Sequence, residues 1–113
     1  MSAECIFCRI VAGEVPADVV HRDDDVVAFR DLSPKAEVHV LVVPVRHVPD
    51  VVALGAADPQ LLASLVRVAG EVAAEQGDGQ FRLVFNTGAA AGQTVFHAHG
   101  HVLAGAGAAD VGL

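Results

Sequence analysis

Apolar and polar positions along the 113-residue chain change period several times, and each change predicts an element. Residues 5–12, CIFCRIVA, carry Ile6, Phe7, Ile10 and Val11 at a spacing that suits a short helix ending near Gly13. After Pro16 the chain reads as extended, with ADVVHR and VVAFRDL flanking Asp23, Asp24 and Asp25. That acidic run reads as a solvated turn between two antiparallel strands. Residues 37–44, EVHVLVVP, are β-branched and apolar almost throughout, which predicts a central strand stopped by Pro44 and interrupted only by His39. Asp58 and Pro59 supply an N-cap and a first turn, and Leu62, Leu65, Val66, Ala69, Val72 and Ala73 follow at helical spacing up to Gly77. Strand patterns return in QFRLVFN, residues 80–86, and in FHAHGHVL, residues 96–103, with the glycine-containing loop TGAAAGQ between them. The order helix, three strands, helix, two strands predicts an α+β domain: a mainly antiparallel five-stranded sheet with two helices. A single domain over 1–113 is expected, with about 104–113 as a short, poorly ordered tail.

Composition narrows the function classes. At 53% hydrophobic and 19% charged residues, the chain can bury a core and needs no disulfide to fold. A formal charge of −7 argues against a nucleic-acid binder, which would gather Lys and Arg on one face. The start, MSAECIFCRIV, lacks the pattern of a secretory signal. The longest apolar run, VLVVPV, is far short of the roughly 18 residues that span a membrane. A cytoplasmic protein is expected, in which the CxxC pair Cys5 and Cys8 points to metal or redox chemistry over a disulfide.

Three of the six histidines, His97, His99 and His101, occupy alternate positions of FHAHGHVL. On a strand they share one face at spacings of roughly 6.5 to 7 Å, too far for all three to meet one ion. Small Ala98 and Gly100 lie on the opposite face and permit close packing behind the row. The row suits a nucleophile and its attendants: an imidazole attacks phosphorus while its neighbours donate hydrogen bonds to phosphate oxygens. His99, flanked on both sides, is the candidate nucleophile. Cys5 and Cys8 need two further ligands for a tetrahedral zinc site, and His47 with His97 at the end of the row would complete it. A thioredoxin-like redox pair is the rival, although such a pair normally follows a strand and opens a longer helix.

These segments together resemble the histidine triad superfamily of nucleotide hydrolases and transferases. The likeness runs through CIFCRIVAGEVPA, VVAFRDLSPKAEVHVLVVPVRHV and FNTGAAAGQTVFHAHGHVLAG, and it is greatest to the nucleoside phosphoramidase branch of small homodimers. The resemblance implies a nucleotidyl-histidine intermediate on His99, with His101 on the phosphate and His39 in the relay. It implies ribose contacts by Asp31, a base wall of Phe7, Ile10 and Phe29, and phosphate or leaving-group contacts from Asn86, Gly92, Gln93 and Thr94. It further implies structural zinc on Cys5, Cys8, His47 and His97, a homodimer, and a purine nucleotide substrate derived from AMP or GMP. Thr94 stands where serine is usual, and LAGAGAADVGL lacks the arginine and aromatic that commonly follow the triad. Gly100 replaces a bulkier residue, so looser packing behind the nucleophile is expected. The alternatives are a dinucleoside polyphosphate hydrolase, a nucleotide-binding module with little turnover, and a zinc-stapled structural domain that would leave Asp31, His39, Asn86 and His101 unexplained.

Overall fold

The computed structural model describes residues 5–112, which form five strands and three α-helices. Helix α1 (Ile6–Val11) precedes strands β1 (Val19–Arg22), β2 (Val26–Arg30) and β3 (Val38–Pro44). Helices α2 (Val51–Ala57) and α3 (Pro59–Gln76) follow, then β4 (Arg82–Val84) and β5 (Gly100–Ala104). The sheet is antiparallel throughout with the order β1-β2-β3-β5-β4, so the last strand is inserted between β3 and β4.

Alternation along the central strands divides the apolar residues between two faces. Val38, Val40 and Val42 of β3 join Val26, Ala28, Val102 and Ala104 in a core covered by Leu61, Leu65, Val68 and Val72 of α3. On the opposite face Leu41 and Val43 pack with Val27, Phe29 and α1 residues Phe7 and Ile10. The site lies on this second face, beside α1.

Helix α3 starts as expected: Asp58 accepts a hydrogen bond from the Leu61 amide at 3.1 Å, and Pro59 occupies the first turn. Its buried stripe differs by part of a turn from the expected one, since Leu61 and Val68 are buried while Val66 is exposed. Helix α2 adds to the two expected helices. Asp50 caps it by accepting from the Ala53 amide at 2.8 Å, and the amide of Asp58 closes its last turn on the Leu54 carbonyl.

Strand β5 begins at Gly100 and not at Phe96. The Ala98 amide donates to the carbonyl of Val48 at 2.7 Å, outside the sheet, and this detour turns His97 into the interior before pairing starts. Gly100 is tightly packed: a Cβ there would lie 2.9 Å from Leu83 Cδ1 and 3.0 Å from Phe85 Cε1. The expected looseness behind the nucleophile is therefore corrected, because Leu83 of β4 and Phe85 just beyond it take up the space that a larger residue would occupy. Residues after β5, expected to form a tail, make specific contacts as far as Val111. Arg82 Nη1 donates to the carbonyls of Ala108 and Val111, both at 2.7 Å, and Glu37 accepts from the Ala106 amide. Among the described residues, no helix is long and apolar enough to cross a membrane.

Candidate active site

The cross-strand register places the histidines. His101 pairs with Leu41 and His39 with Leu103, so the two imidazoles are diagonal neighbours on the α1 face. Their ring centroids lie 5.2 Å apart, and His99 lies 5.2 Å from His101 on the other side. His99 is held by the turn that precedes β5, where its Nδ1 lies 2.8 Å from the carbonyl oxygen of His97. A carbonyl can only accept, so Nδ1 carries the proton and Nε2 keeps its lone pair. Phe7 meets His99 edge-on at 5.0 Å and 87°, which fixes the ring from the α1 side.

A cavity of about 310 Å³ opens beside these rings. Phe7, Ile10 and Phe29 form its apolar wall, and Asp31, Thr94, His99 and His101 line its polar end. Phe7 and Phe29 meet at 5.5 Å in a T-shaped pair, and both are buried, so these side chains serve the core and the cavity at once. A second cavity of about 260 Å³ shares Asp31 and His101 with the first and adds His39 and Asn86. Asp31 stands at the junction of the two, its Ser33-directed Oδ1 accepting a backbone amide at 2.8 Å.

The loop before the triad is built on two glycines. Gly88 and Gly92 have φ of 89° and 98°, values that favour glycine. Asn86 Nδ2 donates to the carbonyl of Ala91 at 3.1 Å, beneath Gly92. Gln93 is buried, and its side chain is committed to the loop: Oε1 accepts from the Gly88 amide, while Nε2 donates to the carbonyls of Pro49 and Val95. Neither Gln93 nor Gly92 lines either cavity. Gln93 thus braces the loop that presents Thr94.

The fourth group of interest lies behind α1. Cys5, Cys8, His47 and His97 bring Sγ and Nδ1 atoms within 4.8 Å of one another. The Cys8 Sγ to His47 Nδ1 distance is 3.2 Å, Cys5 Sγ to His97 Nδ1 is 3.4 Å, and the two Nδ1 atoms are 3.1 Å apart. Metal bonds of about 2.3 Å to sulfur and 2.0 to 2.1 Å to nitrogen put tetrahedral donors roughly 3.3 to 3.8 Å apart, so these three distances fit to within a few tenths of an ångström. His97, wholly buried, has Nε2 placed 2.8 Å from the Pro44 carbonyl. Its proton belongs there, which leaves the Nδ1 lone pair for a metal. The donor set suits zinc.

A family model described as "Scavenger mRNA decapping enzyme C-term binding" matches residues 4–111. An HIT-like protein of Synechocystis is 48% identical over 106 residues, covering 93% of both chains. The purine nucleoside phosphoramidase of Escherichia coli is 42% identical over 108 residues, covering 93% of this chain and 90% of the relative. The chain belongs to the histidine triad family. An HIT family hydrolase from Clostridium thermocellum superposes with a TM-score of 0.90 at 36% identity, covering 100% of this chain and 97% of the other.

Electrostatics in this histidine triad protein favour neutral imidazoles. Burial lowers the pKa of His39 and of His99, in each case against an opposing pull from Asp31. His101 falls to about 4, from burial first and then from the neighbouring His99 and His39. The unfolded chain titrates near 6.5, so between pH 6.5 and about 4 it binds protons that the folded state refuses. Stability is expected to be highest at neutral pH and to fall as pH drops through this window. Melting temperatures at pH 7 and pH 5 check it: the fall should be smaller in His101→Gln, and equal falls in both proteins would contradict the assignment.

Leu32 and Val95 also line the triad cavity, and sequence reasoning missed them because a scattered apolar lining looks like ordinary packing. Leu32 carried a usable signal, a large apolar residue between Asp31 and Ser33, and it is 98% exposed at the cavity.

Proposed function

We propose that this histidine triad protein is a nucleotide hydrolase that cleaves a nucleoside monophosphate from an amine or similar leaving group. The observation that carries the reading is the hydrogen bond from His99 Nδ1 to the His97 carbonyl, which leaves an unprotonated Nε2 beside a cavity with an apolar wall and a carboxylate. Phe7, Ile10 and Phe29 suit a purine base, and Asp31 can accept hydrogen bonds from both ribose hydroxyls. The α-phosphate then lies at the polar end beside His99.

In the first displacement, the Nε2 lone pair of His99 attacks phosphorus, and the bond from phosphorus to the leaving nitrogen breaks as that nitrogen takes up a proton from solvent, balanced by the proton that the attacking water gives up in the second displacement. His101 and the Thr94 hydroxyl donate to the phosphate or leaving group as negative charge develops. Water then attacks the nucleotidyl-histidine, releasing the monophosphate and restoring His99. Each displacement inverts phosphorus, so the overall outcome is retention. The relatives' names support the class, phosphoramidase among them, and the apolar wall supports a purine without choosing between adenine and guanine.

Zinc on Cys5, Cys8, His47 and His97 would supply a structural cross-link between α1, the segment after β3 and the triad turn. We read the protein as cytoplasmic and as a homodimer, with no nucleic-acid partner. The test is a panel of purine nucleoside phosphoramidates and dinucleoside polyphosphates. Higher kcat/KM on the amidates supports the reading, whereas preference for the phosphoanhydrides would replace it with a dinucleoside polyphosphate hydrolase. Binding of AMP with no turnover of either series would leave a nucleotide-binding module.

A further inference from the structure

Among the described residues two clusters have metal-site spacing, and they differ in where the protons of their histidine rings lie. Asp31, His39 and His101 bring their ligand atoms within 4.8 Å of one another, as the Cys–His cluster does. His39 Nε2 is 3.0 Å from His101 Nδ1 and 3.6 Å from Asp31 Oδ2. Two imidazoles and a carboxylate at such separations are a common set of ligands for a first-row transition metal. They also lie at the two cavities, where an ion could reach them. Distance alone gives no reason for a metal to choose the cysteine cluster and avoid this one.

Proton positions give that reason. The main-chain amide of Lys35 donates to His39 Nδ1 at 3.0 Å. An amide N–H can only donate, so Nδ1 must hold a lone pair and the proton of a neutral ring must sit on Nε2. That proton points at two acceptors, His101 Nδ1 and the carboxylate of Asp31. His101 then carries its own proton on Nε2, as a donor. A metal at His39 Nε2 would require either loss of the ring's last proton or its transfer to Nδ1, where two N–H groups would face each other. His97 is the converse case: a backbone carbonyl takes its Nε2 proton and frees Nδ1 for a ligand bond. A backbone acceptor makes one histidine a ligand, and a backbone donor denies that role to another.

We propose that the Lys35 main-chain amide is a positioning group which sets the tautomers of His39 and His101 and withholds the Asp31–His39–His101 trio from transition metals. This deepens the catalytic reading above, because it fixes His101 as a hydrogen-bond donor, but its test reads ring protonation and not turnover. The two can therefore fail separately.

Full-length protein labelled with nitrogen-15 at histidine and lysine supplies the first measurement. His39 and His101 should show unprotonated Nδ1 and protonated Nε2, with a scalar coupling across the hydrogen bond from Lys35 N to His39 Nδ1. A proton on His39 Nδ1 would overturn the proposal. Zinc titration supplies the second. Added zinc should leave the His39 and His101 ring signals unmoved in native protein and in Lys35→Ala, which keeps the amide. In Lys35→Pro, which lacks it, those signals should move and the bound zinc should rise by one ion per chain. Movement in the native protein, or a folded Lys35→Pro whose His39 and His101 signals stay still, would sink the idea. His47 and His97 signals report the cysteine cluster independently, and if Lys35→Pro does not fold, the two native measurements still decide.

Discussion

Alanine in place of His99 is expected to lower turnover by about 10⁴-fold or more, the scale seen when a covalent nucleophile is removed. Nucleotide binding should survive, because the base wall of Phe7, Ile10 and Phe29 and the carboxylate of Asp31 do not depend on this imidazole. The contrast separates chemistry from affinity: kcat falls, while the dissociation constant for AMP changes by no more than a few-fold. Rapid quenching with labelled substrate should trap the nucleotide on His99 of the native protein and on no residue of His99→Ala. Label on any other residue would remove His99 from the nucleophilic role. Near-native turnover by His99→Ala would end the covalent scheme altogether.

The second large effect is expected at Cys8, which is buried and whose sulfur lies 3.2 Å from His47 Nδ1 and 3.5 Å from His97 Nδ1. Elemental analysis should find about one zinc per chain in native protein and almost none in Cys8→Ser. A ligand present at 100 times its dissociation constant stabilises the folded state by about 2.7 kcal/mol. At roughly 4 °C per kcal/mol for a domain of this size, Cys8→Ser should melt about 10 °C lower. Chelation should bring the native protein down towards the variant and leave the variant unchanged, which separates loss of metal from loss of packing. A native melting temperature indifferent to chelator would refute a structural metal.

Much of this architecture is legible in local patterns. Helix α3 announces itself through Asp58, Pro59 and a long apolar stripe, and β3 through a run rich in β-branched residues that only His39 interrupts with a polar group. Chemically distinctive residues are legible too, since histidines at alternate positions and a CxxC pair have few bland explanations. What escaped the sequence is set by tertiary partners. Helix α2 consists of VVALGAA, whose two leading β-branched residues and interior glycine are weak helix formers; the Asp50 cap and burial of Leu54 decide the outcome. The triad segment alternates like a strand, yet its first half pairs with Val48 and not with the sheet, a choice that depends on a residue about fifty positions earlier. Gln93 was legible as a polar residue of the loop, but its commitment to three backbone groups was not. The amide of Lys35 has no sequence signal at all, because every residue except proline offers the same group.

His97 contributes two different groups to two different places. Its side chain faces Cys5, Cys8 and His47, while its carbonyl oxygen holds the proton of His99. His99 is thus tied through a single peptide unit to the Cys–His cluster, with no intervening side chain to absorb slack. With zinc in that cluster, as proposed above, a chain that gave up the two cysteines would lose the metal and with it the placement of the His97 carbonyl that orients His99. It would have to immobilise residue 97 by other means, such as a larger apolar side chain filling the vacated volume, and the freedom to drift at positions 5, 8, 47 and 97 is therefore collective.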